Sequence, residues 1–246
     1  MKINAQEIQA VSAAQSSSRV DLYVGIHKAM RAMMADALLA VGRMDALDAV
    51  ERNAVSARVL DLLDFCSAHL KHENQFVHTA IEARAPGASE AVAHDHVEHE
   101  ANIARLKAVT EALRGATDAA GANSAALGLY RDLALFVAEN FQHMHTEETA
   151  LNTVLWARYT DAELMGIHAA LVGSIPPAEL LRTMRWLVPY MNPGERTAML
   201  AGMQAHAPAP AFAATMDTVR PHLTETEWAK LTRSLGLPPL PGLVLA

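Results

Sequence analysis

The chain has 246 residues, of which 51% are hydrophobic, and it carries a formal net charge of −7 with a pI near 5.9. This length and apolar content suffice for a substantial core. The acidic balance and the lack of a Lys/Arg cluster exclude nucleic acid as an expected partner. A single cysteine, Cys66, rules out an intrachain disulfide. No secretory signal or membrane-length apolar run is present, so we expect a cytoplasmic protein without a membrane partner.

The residue usage predicts an all-α fold. Ala, Leu and Met are abundant, while runs of Val, Ile or Thr are few, which favours helices over strands. Apolar spacing of three and four residues predicts long helices over residues 19–41, 54–83, 88–113 and 124–158, with Gly42 ending the first. Because their connections are short or moderate, we expect an antiparallel up-down four-helix bundle.

The expected organisation has three parts. Residues 1–18 are a flexible N-terminal segment, residues 19–158 are the bundle, and residues 159–246 are a smaller helical C-terminal region. In that last region TDAEL, IPPAEL, NPGERTAML and LTETEWAKL have the pattern of helix starts. We therefore expect four short helices there.

Aromatic and arginine side chains in the C-terminal region leave two interpretations open. Trp186, Tyr190 and Trp228, with Arg182 and Arg185, could form a surface for a homodimer or a protein partner. They could equally pack a helical cap.

Histidines and glutamates fall on the inner faces of all four predicted long helices when each residue advances by 100°. The inward set is His27, His69, Glu73, His96, His99, His143 and Glu147. Burying five imidazoles and two carboxylates without a cation would require nearly complete mutual hydrogen bonding. The pattern therefore predicts a metal site. A single histidine on an apolar face would not support that prediction.

Neighbouring polar residues are predicted to lie outside this site. The helical wheel places His78 and His94 at the periphery and His145 and Glu148 towards solvent. Whether Tyr23, His72 or Glu100 joins the metal site is left open.

The same wheel continues the inner face of the second helix through Phe76 and Ala80. It continues that of the fourth through Ala150 and Val154.

The ligand types suit a first-row metal such as Fe, Mn or Zn, and two carboxylates suit a dinuclear centre. His27, then His69-x-x-x-Glu73, then His96 and His99, then His143-x-x-x-Glu147 resembles the hemerythrin-like, or HHE cation-binding, domain family over residues 19–158. The sequence departs from the oxygen carriers of that family in two places. The third helix has histidines three apart rather than four, and Glu147 stands where they have an aspartate one residue later. Both departures are typical of bacterial relatives, some of which carry a C-terminal helical extension.

The resemblance implies a non-haem di-iron centre with an oxo or hydroxo bridge. It implies that His27 and His69 bind one iron, and that His96, His99 and His143 bind the other. Glu73 and Glu147 would bridge the two ions and leave an open position on the first for O2, NO or peroxide. Zn or Mn in place of iron stays an alternative.

Three functions are compatible with this pattern. The first is a binding or sensing protein for O2, NO or peroxide, or a protein that handles iron. The second is a di-iron oxidoreductase with peroxidase or catalase-like activity, or with NO-reducing activity. The third is a helical scaffold that binds zinc. The first is the favoured interpretation, and the other two stay open as alternatives because one fold serves several functions.

Overall fold

The computed structural model describes residues 19–238, and all regular structure in that range is helical. The prediction of an all-α fold is confirmed, while the expected flexible segment 1–18 lies outside the described residues. The helices are α1 (Val24–Arg43), α2 (Ala49–His72, continued by Glu73–His78 and Thr79–Arg84), α3 (Glu90–Arg114), α4 (Ala119–Thr146, continued by Glu147–Leu151 and Asn152–Arg158), α5 (Asp161–Ser174), α6 (Pro177–Tyr190), α7 (Pro193–His206), α8 (Ala209–Val219) and α9 (Glu225–Ser234).

The four long helices α1 to α4 contact one another in a closed ring. α1 packs against α2 and α4, and α3 packs against the same two helices. One residue from each of α1 to α4 is almost completely inaccessible to solvent, namely Met34, Leu62, Leu106 and Leu129. Burial of such side chains stabilises the fold by about 25 cal/mol per Å² of apolar surface. Inward-pointing residues of all four helices thus share one interior.

Capping aspartates start two helices earlier than the apolar pattern predicted. Asp48 accepts hydrogen bonds from the backbone of Val50 and Glu51 at 2.8 and 3.2 Å, so α2 begins at Ala49. Asp118 caps α4 in the same way. Each cap satisfies backbone N–H groups that have no partner within the helix.

Gly42 does not end α1 as predicted, because that helix continues to Arg43. A Cβ atom at Gly42 would lie 2.9 Å from Cε2 of Tyr130 in α4. The glycine therefore permits close packing of the two helices.

A π-helical turn, Glu73–His78, interrupts α2. The wheel placed Phe76 and Ala80 on the inner face, yet Val77 and Ile81 are the buried residues, at 3% and 1% exposure. The prediction is wrong by one residue because bonds from residue i to i+5 fit an extra residue into the turn.

The same shift occurs in α4, where the π-helical turn is Glu147–Leu151. Leu151 and Leu155 are buried, whereas Ala150 is exposed and Val154 half-buried. Both insertions begin at a predicted bridging glutamate.

Beyond the π-helical turns an apolar cluster closes the interior. Its buried members are Tyr23, Val77, Ile81, Val92, Leu151, Leu155 and Leu164. Leu164 comes from α5, whose Glu163 also pairs with Arg84 at 2.6 Å.

The contacts divide the chain into two compact units, the first ending at Gly173 and the second beginning at Ser174. The boundary predicted from sequence, after residue 158, lies one helix earlier.

The second unit contains α6 to α9. After residue 158 the described part of the chain has five α-helices rather than the predicted four, because α8 was missed. Its start, "APAPAF", is typical of a turn, but proline in the first turn of a helix needs no N–H donor.

Within this unit the side chain of Arg196 is buried and donates to the carbonyls of Val188, Pro189 and Met191 at 2.9 to 3.2 Å. This arginine therefore satisfies backbone groups at the C-terminal end of α6. Trp228 is buried at 8% exposure, while Tyr190 is 50% exposed. Trp228 thus packs in the core of the unit.

Within residues 19–238 no single helix has the length and apolar composition needed to cross a membrane. The consecutive helices α5 and α6 reach that length and composition only when taken together across the break between them.

Candidate metal centre

All seven predicted site residues are buried inside the ring of α1 to α4. Their exposures range from 0% for His27 and Glu147 to 8% for His69. Burying charged groups is costly unless they are paired or coordinate a metal. The full set is His27, His69, Glu73, His96, His99, His143 and Glu147.

Six of these residues form two overlapping groups, in each of which the possible ligand atoms lie within 4.8 Å of one another. The first group is His27, His69, Glu73 and Glu147, and the second is Glu73, His96, His143 and Glu147. The glutamates belong to both groups. The arrangement can accommodate two cations that share two carboxylates.

Each glutamate directs a different oxygen to each group. Glu73 Oε1 lies 3.1 Å from His69 Nε2, whereas its Oε2 lies 3.6 Å from His96 Nε2. Glu147 Oε2 lies 3.4 Å from His27 Nε2, whereas its Oε1 lies 3.4 Å from His143 Nε2. A bridging carboxylate needs this division of its two oxygens.

These close approaches are not hydrogen bonds. The four carboxylate oxygens of Glu73 and Glu147, and Nε2 of His27 and His69, are buried without a hydrogen-bond partner. These oxygen and nitrogen atoms come within ion-pair distance of one another but lack hydrogen-bond geometry. They point towards a common space between them rather than directly at one another. Two ligand atoms on one tetrahedral ion with bonds of about 2.1 Å lie about 3.4 Å apart. Separations of 3.1 to 3.6 Å are close to that value.

The outer nitrogens of two rings fix which nitrogen faces the centre. His96 Nδ1 lies 2.8 Å from Asn74 Oδ1, and an amide oxygen only accepts, so Nδ1 donates. His27 Nδ1 lies 3.0 Å from Glu148 Oε1 and donates likewise. In its neutral form each ring therefore carries its lone pair on Nε2, which is the form that binds a metal.

Those lone pairs meet other electron-rich atoms. His96 Nε2 lies 3.0 Å from His143 Nε2, and His27 Nε2 faces oxygens of both glutamates. Such contacts require a proton or a cation between the atoms. The donor set therefore fits metal ions.

His99 is brought close but lies outside the two groups. Its ring contacts that of His143 with centroids 4.7 Å apart, and its Nδ1 is buried without a partner. Burial and the neighbouring His143 and His96 lower the pKa of His99 to about 4, so the ring is neutral at pH 7. Its role as a ligand stays a prediction.

The electrostatics of the centre favour positive charge. Burial acts to raise the pKa of Glu73, but His69 and His27 hold it well below its usual range. Burial and Glu73 act to raise the pKa of Glu147, yet the nearby histidines lower it on balance. Burial lowers the pKa of His27, but Glu148 and Glu73 outweigh this and raise it to about 9.

Two further residues lie at the centre. Glu148, expected to point outward, bonds to His27 and receives 2.6 and 3.0 Å hydrogen bonds from Arg31. His78, expected at the periphery, is 5% exposed and stacks on His96 with centroids 4.8 Å apart. Both predictions are wrong. For His78 the reason is that the wheel assumes 100° per residue through the π-helical turn. The sequence signal for Glu148 was its position directly after the predicted ligand Glu147, where a second carboxylate can hydrogen-bond to a metal-binding histidine.

The three residues left open fall in different places. Tyr23 is 1% exposed, and its hydroxyl is buried without a hydrogen-bond partner. Burial raises the pKa of this phenol well above its ordinary value, as do the charges of Glu147 and Glu73. His72 is half-buried, and Glu100 is exposed, which places Glu100 outside the centre.

An interior of four helices with a shared set of histidines and glutamates defines a metal-binding helical protein. Residues 18–155 match the family described as the hemerythrin HHE cation binding domain. This match spans more than half of the chain, so the chain belongs to that family, and the resemblance seen in the sequence is confirmed. No curated protein and no solved structure shows a significant match.

Proposed function

We propose that this protein is a cytoplasmic non-haem di-iron protein that binds or senses O2, NO or peroxide, or that handles iron. Family membership supports cation binding. The observation that carries the proposal of two ions is the division of each glutamate's oxygens between the two groups of histidines. A single ion would need only one group.

His27 and His69 would hold one iron, while His96, His99 and His143 would hold the other. When bound, the iron pair supplies Lewis acidity and one-electron redox chemistry. Glu148 and Asn74 orient the rings of His27 and His96 through their outer nitrogens. Burial of these groups excludes bulk water from the centre. With this assignment the first ion would have fewer protein ligands, which favours it as the position for a small ligand.

The closed ring of contacts among α1 to α4 and the short connections between them support an antiparallel up-down bundle as the framework of the site. In the second unit the stacked pair Trp186 and Tyr190, with centroids 5.9 Å apart and Tyr190 exposed, supports a surface for a second copy or another protein.

The decisive experiment is elemental analysis and an optical spectrum of protein purified from its own host without chelators. We expect about two iron ions per chain and charge-transfer bands that change when NO or peroxide is added. Glu147→Ala should lose metal, whereas Glu100→Ala, at an exposed position, should not. If the protein is colourless and contains zinc, the metal is zinc rather than iron. Less than about one ion per chain would overturn the proposal.

A peroxide- or NO-consuming oxidoreductase is a second candidate, and Tyr23 favours it. Its hydroxyl is buried next to the centre, has no hydrogen-bond partner, and keeps its proton because its pKa is raised. Such a group can donate a hydrogen bond to a substrate. Sustained consumption of H2O2 or NO that is reduced in Tyr23→Phe, at unchanged iron content, would support an enzyme. A single stoichiometric binding event would support a sensor.

A further inference from the structure

A surface pocket of 620 Å³ lies where α2 meets α3, close to the candidate centre. Asn74, His78, Thr79 and Glu82 of α2 line it, together with Ser89 and Glu90 at the start of α3. A water molecule takes up about 30 Å³, so the pocket admits a hydrated ion. Of the side chains that line it, none is Lys or Arg.

The inner wall of this pocket is a single layer of side chains. Asn74 is exposed, yet its Oδ1 is hydrogen-bonded to His96 Nδ1 at 2.8 Å. His78 stacks on the same ring, with an interplanar angle of 19°. Both wall residues therefore touch a proposed metal ligand directly.

The His78 ring lacks polar anchors. Both of its nitrogens are buried and make no hydrogen bond. In contrast, the pocket rim is fixed, because Glu82 accepts hydrogen bonds from Gly87 N and from the backbone and hydroxyl of Ser89 at 2.6 to 3.0 Å. A ring held by packing alone, without a hydrogen bond, can turn aside while the rim stays in place.

We propose that this pocket is the entrance for the metal ion and that His78 is the side chain that closes it. Carboxylates of Glu82 and Glu90 give the opening negative charge, which raises the local concentration of cations. The ion then passes the turned ring of His78 and reaches His96. This inference rests on the metal centre proposed above.

The test measures Co²⁺ uptake by the full-length metal-free protein in a stopped-flow spectrometer, and Co²⁺ loss to excess EDTA. His78→Ala removes the closing ring, and we expect both rates to rise about tenfold, which corresponds to about 1.4 kcal/mol in activation free energy. Ala93→Phe fills the pocket from α3 and should slow both. His94→Ala, at an exposed position of α3, is the matched control and should change neither the uptake rate nor the loss rate.

The two proposals fail in different ways. Full Co²⁺ loading at rates unchanged by His78→Ala would overturn the role of His78, and rates unchanged by Ala93→Phe would overturn the pocket as entrance. Circular dichroism verifies that both variants are folded. Absence of Co²⁺ binding in the wild-type protein would instead overturn the proposed metal centre.

Discussion

Glu148 shows how one residue outside the ligand set can prepare a ligand. Its carboxylate accepts a hydrogen bond from His27 Nδ1–H and two more from the guanidinium of Arg31. Burial acts to raise the pKa of Glu148, but His27 and Arg31 lower it to about 2. The group is thus an anion throughout the neutral range, and it directs the Nε2 lone pair of His27 into the centre.

Glu148→Gln should weaken metal binding by about 10- to 100-fold, the usual effect of removing a residue that orients a metal-binding histidine. The amide keeps the size of the side chain but removes the charge that fixes the His27 tautomer. Competition with a chromogenic chelator measures the affinity. Glu100→Gln is the matched control because Glu100 is exposed. Equal affinities in the two variants would contradict the orienting role.

Cys66 illustrates a buried group with no part in the site. It is 1% exposed, and burial raises the pKa of its thiol to about 12. The thiolate is the reactive form, so at pH 8 the folded protein should react with a disulfide reagent at least about 100-fold more slowly than the urea-unfolded chain. Stopped-flow absorbance measures both rates. Comparable rates would show that the residue is accessible.

At the scale of helices, the sequence predicts the long elements well because their apolar stripes are regular. It also places all seven candidate ligands in one interior. The π-helical turns escape prediction, since nothing in "ENQFVH" or "EETAL" departs from ordinary helical usage. The first insertion turns His78 inward, and the two insertions place Ile81 and Leu155 on the core face. Helix α8 escaped for a different reason, because its prolines are compatible with both a turn and a helix start.

Deleting Gln75, an exposed residue of the first π-helical turn, should be tolerated. A regular α-helix would then place Val77 and Ile81 on the core face without the extra residue, so the metal-free protein should melt within about 5 °C of wild type or above it. Deleting Asp64, an exposed residue of the regular part of α2, is the control. That deletion rotates every later core residue and should abolish the cooperative transition measured by circular dichroism. If both deletions abolish the thermal transition, the π-helical turn that begins at Glu73 does not contain a dispensable extra residue.

At the scale of the whole molecule, the family match and the first compact unit end at different points. The match stops at residue 155, whereas the first unit continues to Gly173. Helix α5 accounts for the difference. Leu164 is fully buried beside Tyr23 and Leu155, and the pairs Arg19–Asp161 and Arg84–Glu163 fasten the helix at 2.6 Å. The apolar pattern predicts the helix α5 but could not assign it to the first or the second unit. Apolar side chains lie nearly all round this helix, so no single face marks its partner.

Truncation separates these two boundaries. A chain ending at residue 173 should fold and retain its metal. Its free energy of unfolding should be close to that of the same unit within the full chain. A chain ending at residue 158 loses the buried Leu164 and the hydrogen bond from Tyr159 to the Ala80 carbonyl. Loss of one buried leucine costs about 2 to 5 kcal/mol, and urea unfolding measures the difference. Equal stability of the two fragments would remove α5 from the structural unit, whereas failure of the longer fragment to fold would show that the two units depend on each other.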